Sequence, residues 1–170
     1  MTEGKPGQVT QIPGPLSDYR VGPGEPDGRR GDTRDSDEAR IEALMTSFLR
    51  AVSFKTGDRP DYGELPALFI PQARLIRTSS PVPEISSVEQ FVRTRQRAVD
   101  AGELTSFDET ELTQTTELFG NIAHRFSSYA KRGSTDHGSI DVRGAISTQF
   151  IRMEAGWRIS SMAWDDERDE

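Results

Sequence analysis

Polar side chains recur at every second position in two β-rich segments of the chain, residues 122–130 and 144–153. Alternate residues of a strand point to the same face of a sheet, so such side chains can converge on one surface. Guanidinium, hydroxyl, phenol and amide groups together can hold and orient the polar end of a small molecule. The predicted ligand-binding residues are Arg125, Ser127, Tyr129, Ser147 and Gln149.

Arg125 is the most informative of these five residues. A guanidinium on the inner wall of a sheet requires a partner that accepts its hydrogen bonds and balances its charge. A structural salt bridge to a carboxylate such as Glu42 or Glu64 is one interpretation. Recognition of an anionic or carbonyl-bearing ligand is a second, and simple exposure to solvent is a third. We expect Arg125→Leu to be tolerated for folding and Arg125→Ala to abolish ligand binding if the second interpretation is correct.

Catalytic residues cannot be named from the sequence. His124 lies opposite Glu117 in a predicted hairpin, which fits a cross-strand charge pair or an acid–base dyad. The sequence contains no glycine-rich phosphate loop, no HExxH and no Gly-x-Ser-x-Gly. With no cysteine and two histidines, thiolate and histidine-based metal sites are excluded. We therefore expect no metal and no cofactor.

The composition narrows the classes of partner. The 170 residues carry a net charge of -7, and this disfavours nucleic acid, whose phosphates require a positively charged surface. No apolar run approaches the roughly 20 residues that span a membrane, and the N-terminus lacks the apolar stretch of a signal peptide. The sequence therefore predicts a soluble cytoplasmic protein with no nucleic-acid or membrane partner.

Two regions differ sharply in composition. Residues 1–35 hold seven of the fifteen glycines and five of the ten prolines, with very few apolar side chains. Such a segment buries too little apolar surface to offset the entropy of ordering it. We predict a disordered tail over residues 1–35 and one folded domain over residues 36–166.

The helices of this domain are marked by caps and apolar spacing. The first is predicted to begin at Asp35 or Ser36, with an apolar stripe running to residue 52. A short helix should follow from Asp61 to Leu68, then a strand over residues 73–78 and an irregular edge over 79–85, where prolines interrupt pairing. A last helix is predicted to be capped by a box of Ser86 and Glu89 and to end at Gly102.

Two antiparallel hairpins complete the predicted domain. Residues 107–119 and 122–130 flank the tight turn Gly120-Asn121. The predicted cross-strand pairs are Phe119–Ile122, Glu117–His124, Thr115–Phe126, Gln114–Ser127 and Leu112–Tyr129. A second hairpin joins residues 144–153 to 157–164 through a three-residue turn that ends in Gly156. Its predicted pairs are Ile151–Ile159, Gln149–Ser161, Phe150–Ser160 and Thr148–Met162. Residues 131–143, between the hairpins, are predicted to be a long polar loop.

The alternation assigns faces to the hairpins. The five candidate residues are placed on the inner face, around a pocket. The large apolar residues predicted for the outer face are Phe126, Phe150, Met162 and Trp164. An exposed apolar patch of this kind predicts a homodimer formed through the outer sheet face. The opposite assignment stays open, because a one-residue slip in register exchanges the two faces.

Several segments resemble the nuclear transport factor 2-like superfamily, in particular its SnoaL-like bacterial branch. They are residues 119–124 (FGNIAH), 126–129 (FSSY), 143–150 (RGAISTQF) and 156–159 (GWRI). The resemblance covers about residues 36–166 and implies an α+β fold, in which a curved antiparallel sheet wraps N-terminal helices into a cone with an internal pocket. It implies no single activity, because the superfamily includes isomerases, dehydratases, hydrolases and proteins without chemistry.

Two functions are consistent with these observations. The first is a small-molecule pocket protein for a hydrophobic ligand with a polar end. As an enzyme it would be a cofactor-independent lyase, isomerase or hydrolase that uses general acid–base chemistry. The second is a non-catalytic dimerisation or scaffold module. A cavity of about 300 Å³ or more that contains a desolvated ionisable group would favour the first.

Overall fold

The computed structural model describes residues 28–168, with side chains from residue 33 onward. Helices pack against one side of a six-stranded sheet with strand order β2-β1-β6-β5-β4-β3. The elements are α1 (Gly28–Val52), a 3₁₀ helix (Tyr62–Leu68), β1 (Phe69–Arg77), β2 (Glu84–Ser86), α2 (Val88–Asp100), β3 (Leu104–Phe119), β4 (Ile122–Thr135), β5 (Gly138–Met153) and β6 (Gly156–Asp166). All neighbouring strands are antiparallel except β1 and β6, which are parallel.

The first helix uses one apolar stripe to cover the sheet. Ile41, Met45 and Phe48 recur at the spacing of one helix face and are buried, as are Ala51 and Val52 in the last turn. The helix begins at Gly28, earlier than the predicted start at Asp35 or Ser36, so the predicted tail overlaps its first turns. The rest of that tail, residues 1–27, lies outside the described residues.

The second helix has the predicted type of cap, one residue further along the chain. The Ser87 hydroxyl accepts a hydrogen bond from the Gln90 backbone, and the Gln90 side chain accepts one from the Ser87 backbone. The expected pair was Ser86 and Glu89. Gly102 follows the helix at a φ of +73°, which only glycine adopts without strain. The predicted short helix is present as the 3₁₀ helix. The predicted irregular edge over residues 79–85 ends in the short paired strand β2.

The first hairpin has the predicted register near its turn, and it departs from that register at one bulge. Phe119 pairs with Ile122 and Glu117 with His124. Beyond Thr113 the register shifts, so that Tyr129 pairs with Glu111 and Leu112 becomes the extra residue. A bulge of this kind reverses the alternation of the strand that carries it. Glu111 therefore lies on the inner face, where Leu112 was expected.

The second hairpin contains a similar irregularity. Thr148 pairs with Met162 and Gln149 with Ser161, as predicted. Ser160 is then the extra residue, so Phe150 pairs with Ile159 and Ile151 with Arg158. The turn is the two residues Glu154 and Ala155.

The predicted polar loop over residues 131–143 is wrong. β4 continues to Thr135 and β5 begins at Gly138, with only Asp136 and His137 in the turn between them. The two strands pair along their whole length, ending in Thr135 opposite Gly138. This region is polar because one face of a hairpin extension is open to solvent, and polarity alone was mistaken for a loop.

This continuous pairing corrects the predicted faces. Arg125 stands opposite Thr148 and Ser127 opposite Ile146, so residues 146, 148 and 150 share the inner face with Arg125. Ser147 and Gln149 therefore lie on the outer face, opposite Phe126 and His124. Among the predicted outer apolar residues, Phe126 is 53% exposed. The others are inside: Phe150 and Met162 are buried, and Trp164 packs against the core.

The result is an α+β fold in which an open sheet wraps the helices, as the sequence predicted. The sheet is mixed and not wholly antiparallel as expected, because β1 and β6 are parallel. The inner face carries Ala123, Arg125, Ser127, Tyr129 and Lys131 from β4 alone, all of them buried. Four ionisable or hydroxyl groups at successive inward positions of a buried strand face require partners on the surrounding elements. Those partners define the candidate sites. No helix in the described part of the chain is long and apolar enough to cross a bilayer.

Candidate functional site

A cavity of about 560 Å³ lies at one end of the cone, between α2, the edge strands and the ends of the long strands. Six of its thirteen lining residues are apolar or aromatic, five are charged and two carry hydroxyl groups. Its lining residues from the helix and the edge strands are Arg77, Glu84, Ile85, Ser86, Phe91, Thr94 and Arg95, and those from the long strands are Phe107, Lys131, Ile140, Val142, Trp164 and Asp166.

Lys131 is the buried cation of this cavity, with 7% of its surface exposed. Its Nζ donates to Asp166 Oδ1 at 2.9 Å and to the Tyr129 hydroxyl at 3.2 Å. It also lies 4.3 Å from the centre of the Tyr129 ring and 5.8 Å from that of Trp164, which adds a cation–π attraction. The ammonium has three N–H donors, so one remains for a ligand.

Asp166 joins the network at the end of β6. It accepts a hydrogen bond from the Tyr129 hydroxyl at 2.7 Å and another from Ser79 at 2.9 Å. Burial by itself would raise the pKa of Asp166, but the hydrogen bonds from Tyr129 and Lys131 outweigh it and lower that pKa. Burial, reinforced by Asp166, raises the pKa of the Tyr129 phenol well above its ordinary value. Asp166 is thus a carboxylate and Tyr129 a neutral hydrogen-bond donor at neutral pH.

The absence of a side chain at Gly144 leaves room for the Tyr129 ring beside Asp166. Gly144 stands opposite Tyr129 in the register, and a Cβ at residue 144 would overlap the Tyr129 phenol and the backbone oxygen of Asp165. Any larger residue would therefore displace the phenol from Asp166.

Glu109 is the second acid near Lys131, which stands opposite it across β3 and β4. Burial raises the pKa of the Glu109 carboxyl, although Lys131 and Arg95 act in the opposite direction. A buried carboxyl with a raised pKa holds its proton more readily than a free one, which suits a general acid–base group. Glu109 is the best candidate acid–base group near the cavity.

Arg95 of α2 lines the same cavity. Its guanidinium lies 5.4 Å from the ring centre of Phe91 and 5.1 Å from that of Phe107. Among the residues that the structure describes, none forms a hydrogen bond or ion pair with this side chain.

Arg125 belongs to a separate cluster beside α1. Its guanidinium donates to both carboxylate oxygens of Glu111, at 2.9 and 2.5 Å, and to Glu42 at 2.7 Å. Ser127 donates to Glu111 at 2.5 Å and Thr116 accepts from Arg125 at 3.2 Å. Burial would raise the pKa of Glu111, but hydrogen bonds from Arg125 and Ser127 lower it. The structural salt bridge to Glu42 is thus confirmed, whereas Glu64 instead pairs with Arg50.

The five predicted binding residues therefore separate into three places. Arg125 and Ser127 are occupied by Glu111, and Tyr129 reaches the network beside the cavity. Ser147 and Gln149 are on the outer face, where the Ser147 hydroxyl lies 3.0 Å from His124 Nε2. His124 stands opposite Glu117 as predicted.

Sequence reasoning did not assign to a site the charged lining residues Arg77, Glu84, Arg95, Lys131 and Asp166, or Glu109 opposite Lys131. One signal was available, because Lys131 continues the alternation of Arg125, Ser127 and Tyr129 by one further step. Within residues 33–168, no three histidine or acidic side chains are grouped so that they could hold a metal ion.

The fold is shared with solved structures, one of which is described as a nuclear transport factor 2-like superfamily protein. A nuclear transport factor 2-like superfamily protein from Salmonella enterica has a TM-score of 0.66 at 13% identity, over 80% of this chain and 94% of the other. A candidate aromatic ring hydroxylase from Novosphingobium aromaticivorans has a TM-score of 0.66 at 15% identity, over 79% and 91%. The chain matches no protein-family model and no curated protein.

The structural neighbours differ in what they are described as. Besides the hydroxylase candidate, they include a candidate calcium/calmodulin-dependent protein kinase II association domain from Xanthomonas campestris, with a TM-score of 0.59 at 15% identity over 77% of this chain and 88% of the other. Similarity at this level of identity extends to the fold, and function must be argued from the cavity itself.

Proposed function

We propose that this chain is a small-molecule pocket protein whose ligand occupies the cavity beside α2. The volume of about 560 Å³ lies within the range of ligand sites, which are typically apolar clefts with a few placed polar groups. The lining combines three aromatic rings and three aliphatic side chains with charged groups that include the pair of Lys131 and Asp166. The hydroxylase candidate among the structural neighbours is compatible with a pocket used for chemistry.

The observation that carries the proposal is the buried Lys131 ammonium. Burying a charge is costly unless it is paired and hydrogen-bonded, and Lys131 is held by Asp166 and Tyr129 while still lining the cavity. A core built only for stability gains little from such an arrangement, since apolar residues of similar volume are often as stable. Binding of a ligand with a polar end would explain why a buried, paired lysine lines the cavity.

The proposal extends to cofactor-independent acid–base chemistry of the lyase, isomerase or hydrolase type. Glu109 would carry the proton, because burial raises its pKa. Lys131 would stabilise negative charge that develops on the ligand, at a position where water is largely excluded. The net charge of -7 argues against a nucleic-acid partner, and we place the protein in the cytoplasm.

Filling the cavity tests the proposal. Thr94 lines the cavity from an exposed position on α2, so Thr94→Trp should occupy it with an indole without disturbing the core. We expect native mass spectrometry of the unmodified protein, incubated with a library of apolar small molecules, to detect bound species that Thr94→Trp weakens by about tenfold or more.

Arg97→Trp adds the same side chain to the same helix outside the cavity lining and serves as the control. Equal binding by Thr94→Trp and Arg97→Trp would show that the ligand lies elsewhere.

A second proposal, for a homodimer, rests on the uncovered outer face of the sheet. Phe119, Ile122 and Phe126 are 84%, 58% and 53% exposed there, on the face that Ser147 and Gln149 share. Large apolar groups exposed together on a soluble protein favour an interface. A second copy of the chain fits, because a two-fold axis would bury this surface against itself.

Phe126→Glu is expected to convert the dimer to a monomer in sedimentation at about 100 μM, because it places like charges near the centre of the contact. Stable pairs bury about 800 Å² per subunit, an area that one central charge can disrupt. Glu117→Gln, on the same face, removes a charge and should leave the dimer intact. A monomeric unmodified protein at this concentration would refute the proposal.

A further inference from the structure

We propose that the cavity selects anionic ligands, specifically an aromatic or other apolar body with one carboxylate, and that Arg95 binds the carboxylate with help from Lys131. This inference rests on the proposed pocket function and names the class of its ligand. It adds a binding role for Arg95, a residue of α2 that the predicted ligand site did not include.

The lack of a protein partner for Arg95 is the first step. A guanidinium carries five N–H donors, and no described residue accepts any of them in the structure. Its Cζ lies 5.4 Å from the ring centre of Phe91 and 5.1 Å from that of Phe107, and these cation–π contacts use none of its N–H donors. A guanidinium that lies between two rings at a cavity wall and keeps its donors can bind a carboxylate through two hydrogen bonds.

The charges around the cavity give the second step. Each acidic lining residue already has a cation: Asp166 bonds Lys131 at 2.9 Å, and Glu84 lies 3.6 Å from Arg77. Arg95 is left over in the described lining. Glu109 interacts with Arg95 and Lys131 through charge alone, without a hydrogen bond to either. The lining residues therefore comprise three cations and two carboxylates, a positive surplus, in a protein whose net charge is -7.

The apolar and aromatic side chains that line the cavity indicate the chemistry of the rest of the ligand. Phe91 and Trp164 lie edge to face, with ring centres 6.3 Å apart, and Ile140 and Val142 line the cavity from β5. Flat apolar groups pack well against such rings. An inorganic anion would leave these walls uncovered, and a neutral apolar compound would leave the donors of Arg95 unpaired, which costs binding free energy.

Two isosteric compounds separate the contributions of shape and charge: 2-naphthoate, and its neutral amide, 2-naphthamide. Isothermal titration calorimetry with the full chain should give a Kd for the carboxylate at least about tenfold lower than that for the amide, equivalent to about 1.4 kcal/mol. Equal affinities for the two compounds would overturn the anion preference and leave the pocket function standing. Binding of neither, up to about 1 mM, would overturn both.

Three variants assign the preference to residues. Arg95→Gln should abolish the difference between the two compounds, whereas Arg97→Gln, the same change at an exposed position of α2 outside the cavity lining, should preserve it. Glu109→Gln should tighten naphthoate alone, by about threefold, because it removes a negative charge near the bound carboxylate.

Circular dichroism of each variant checks folding. A naphthoate preference that survives in folded Arg95→Gln would overturn the role of Arg95. An unchanged or weakened naphthoate affinity in Glu109→Gln would show that the bound carboxylate does not lie beside Glu109 and its neighbouring cations.

Discussion

Replacement of Glu111 by alanine is expected to lower the free energy of unfolding by about 3 kcal/mol, because it leaves the Arg125 guanidinium buried with too few partners. Arg125 is 2% exposed and directs two of its hydrogen bonds at Glu111. Ser127, which is also buried, loses its acceptor in the same substitution. Urea denaturation followed by circular dichroism measures the loss.

Glu42→Ala is the matched control, since it removes the other carboxylate that contacts Arg125. The Glu42 side chain is 55% exposed, and ion pairs in contact with water contribute about 1 kcal/mol or less. Adding Arg125→Leu to Glu111→Ala should recover much of the stability, because the uncompensated charge is removed. If Glu111→Ala costs no more than Glu42→Ala, the bidentate pair is not what stabilises this cluster.

The same carboxylate gives a pH dependence of definite sign. The pKa of Glu111 is lowered in the folded state, so its contribution to stability is complete above the unfolded value of about 4.3. That contribution is lost as the pH falls through the folded pKa. The difference in unfolding free energy between the unmodified protein and Glu111→Gln should therefore shrink below about pH 4.3. A difference that grows on acidification would contradict the lowered pKa.

Local chemistry explains why the fold could be predicted. The turn at Gly120, the helical spacing of the α1 core residues and the cap before α2 each act over a few residues. Such signals can be interpreted from the sequence without knowing which distant residues are in contact. The α+β cone follows from them once the strands are long enough to cover two helices.

The faces of β5 could not be predicted in the same way, because they depend on the connection from β4. Treating residues 131–143 as a loop leaves the register between the two hairpins undetermined. The two-residue turn at Asp136 and His137 fixes it, and places Thr148 opposite Arg125. A one-residue difference exchanges faces, which is how Ser147 and Gln149 were assigned to the pocket.

Bulges were the second unpredictable feature. A regular strand would place Leu112 inside and Glu111 outside, with no carboxylate from β3 beside Arg125. The extra residue at Leu112 reverses this, and no local sequence signal marks the position. The ion pair that satisfies Arg125 therefore depends on a backbone irregularity that only the assembled sheet reveals.

Phe150→Glu is expected to lower the free energy of unfolding by at least about 4 kcal/mol, enough to unfold much of the protein. Phe150 is 1% exposed and packs within the core, so the substitution both removes an aromatic side chain and buries an unpaired carboxylate. Loss of the far-ultraviolet circular dichroism signal at 25 °C, or a large fall in the urea midpoint, is the measured result.

Phe126→Glu makes the identical chemical change on the opposite face of the neighbouring strand. Phe126 is 53% exposed, so water can solvate the new carboxylate, and the cost to the folded monomer should stay within about 1 kcal/mol. The contrast between the two variants tests the faces directly, because the predicted assignment placed both residues outside. If Phe150→Glu folds as well as Phe126→Glu, residue 150 does not face the helices and the corrected register between β4 and β5 is wrong.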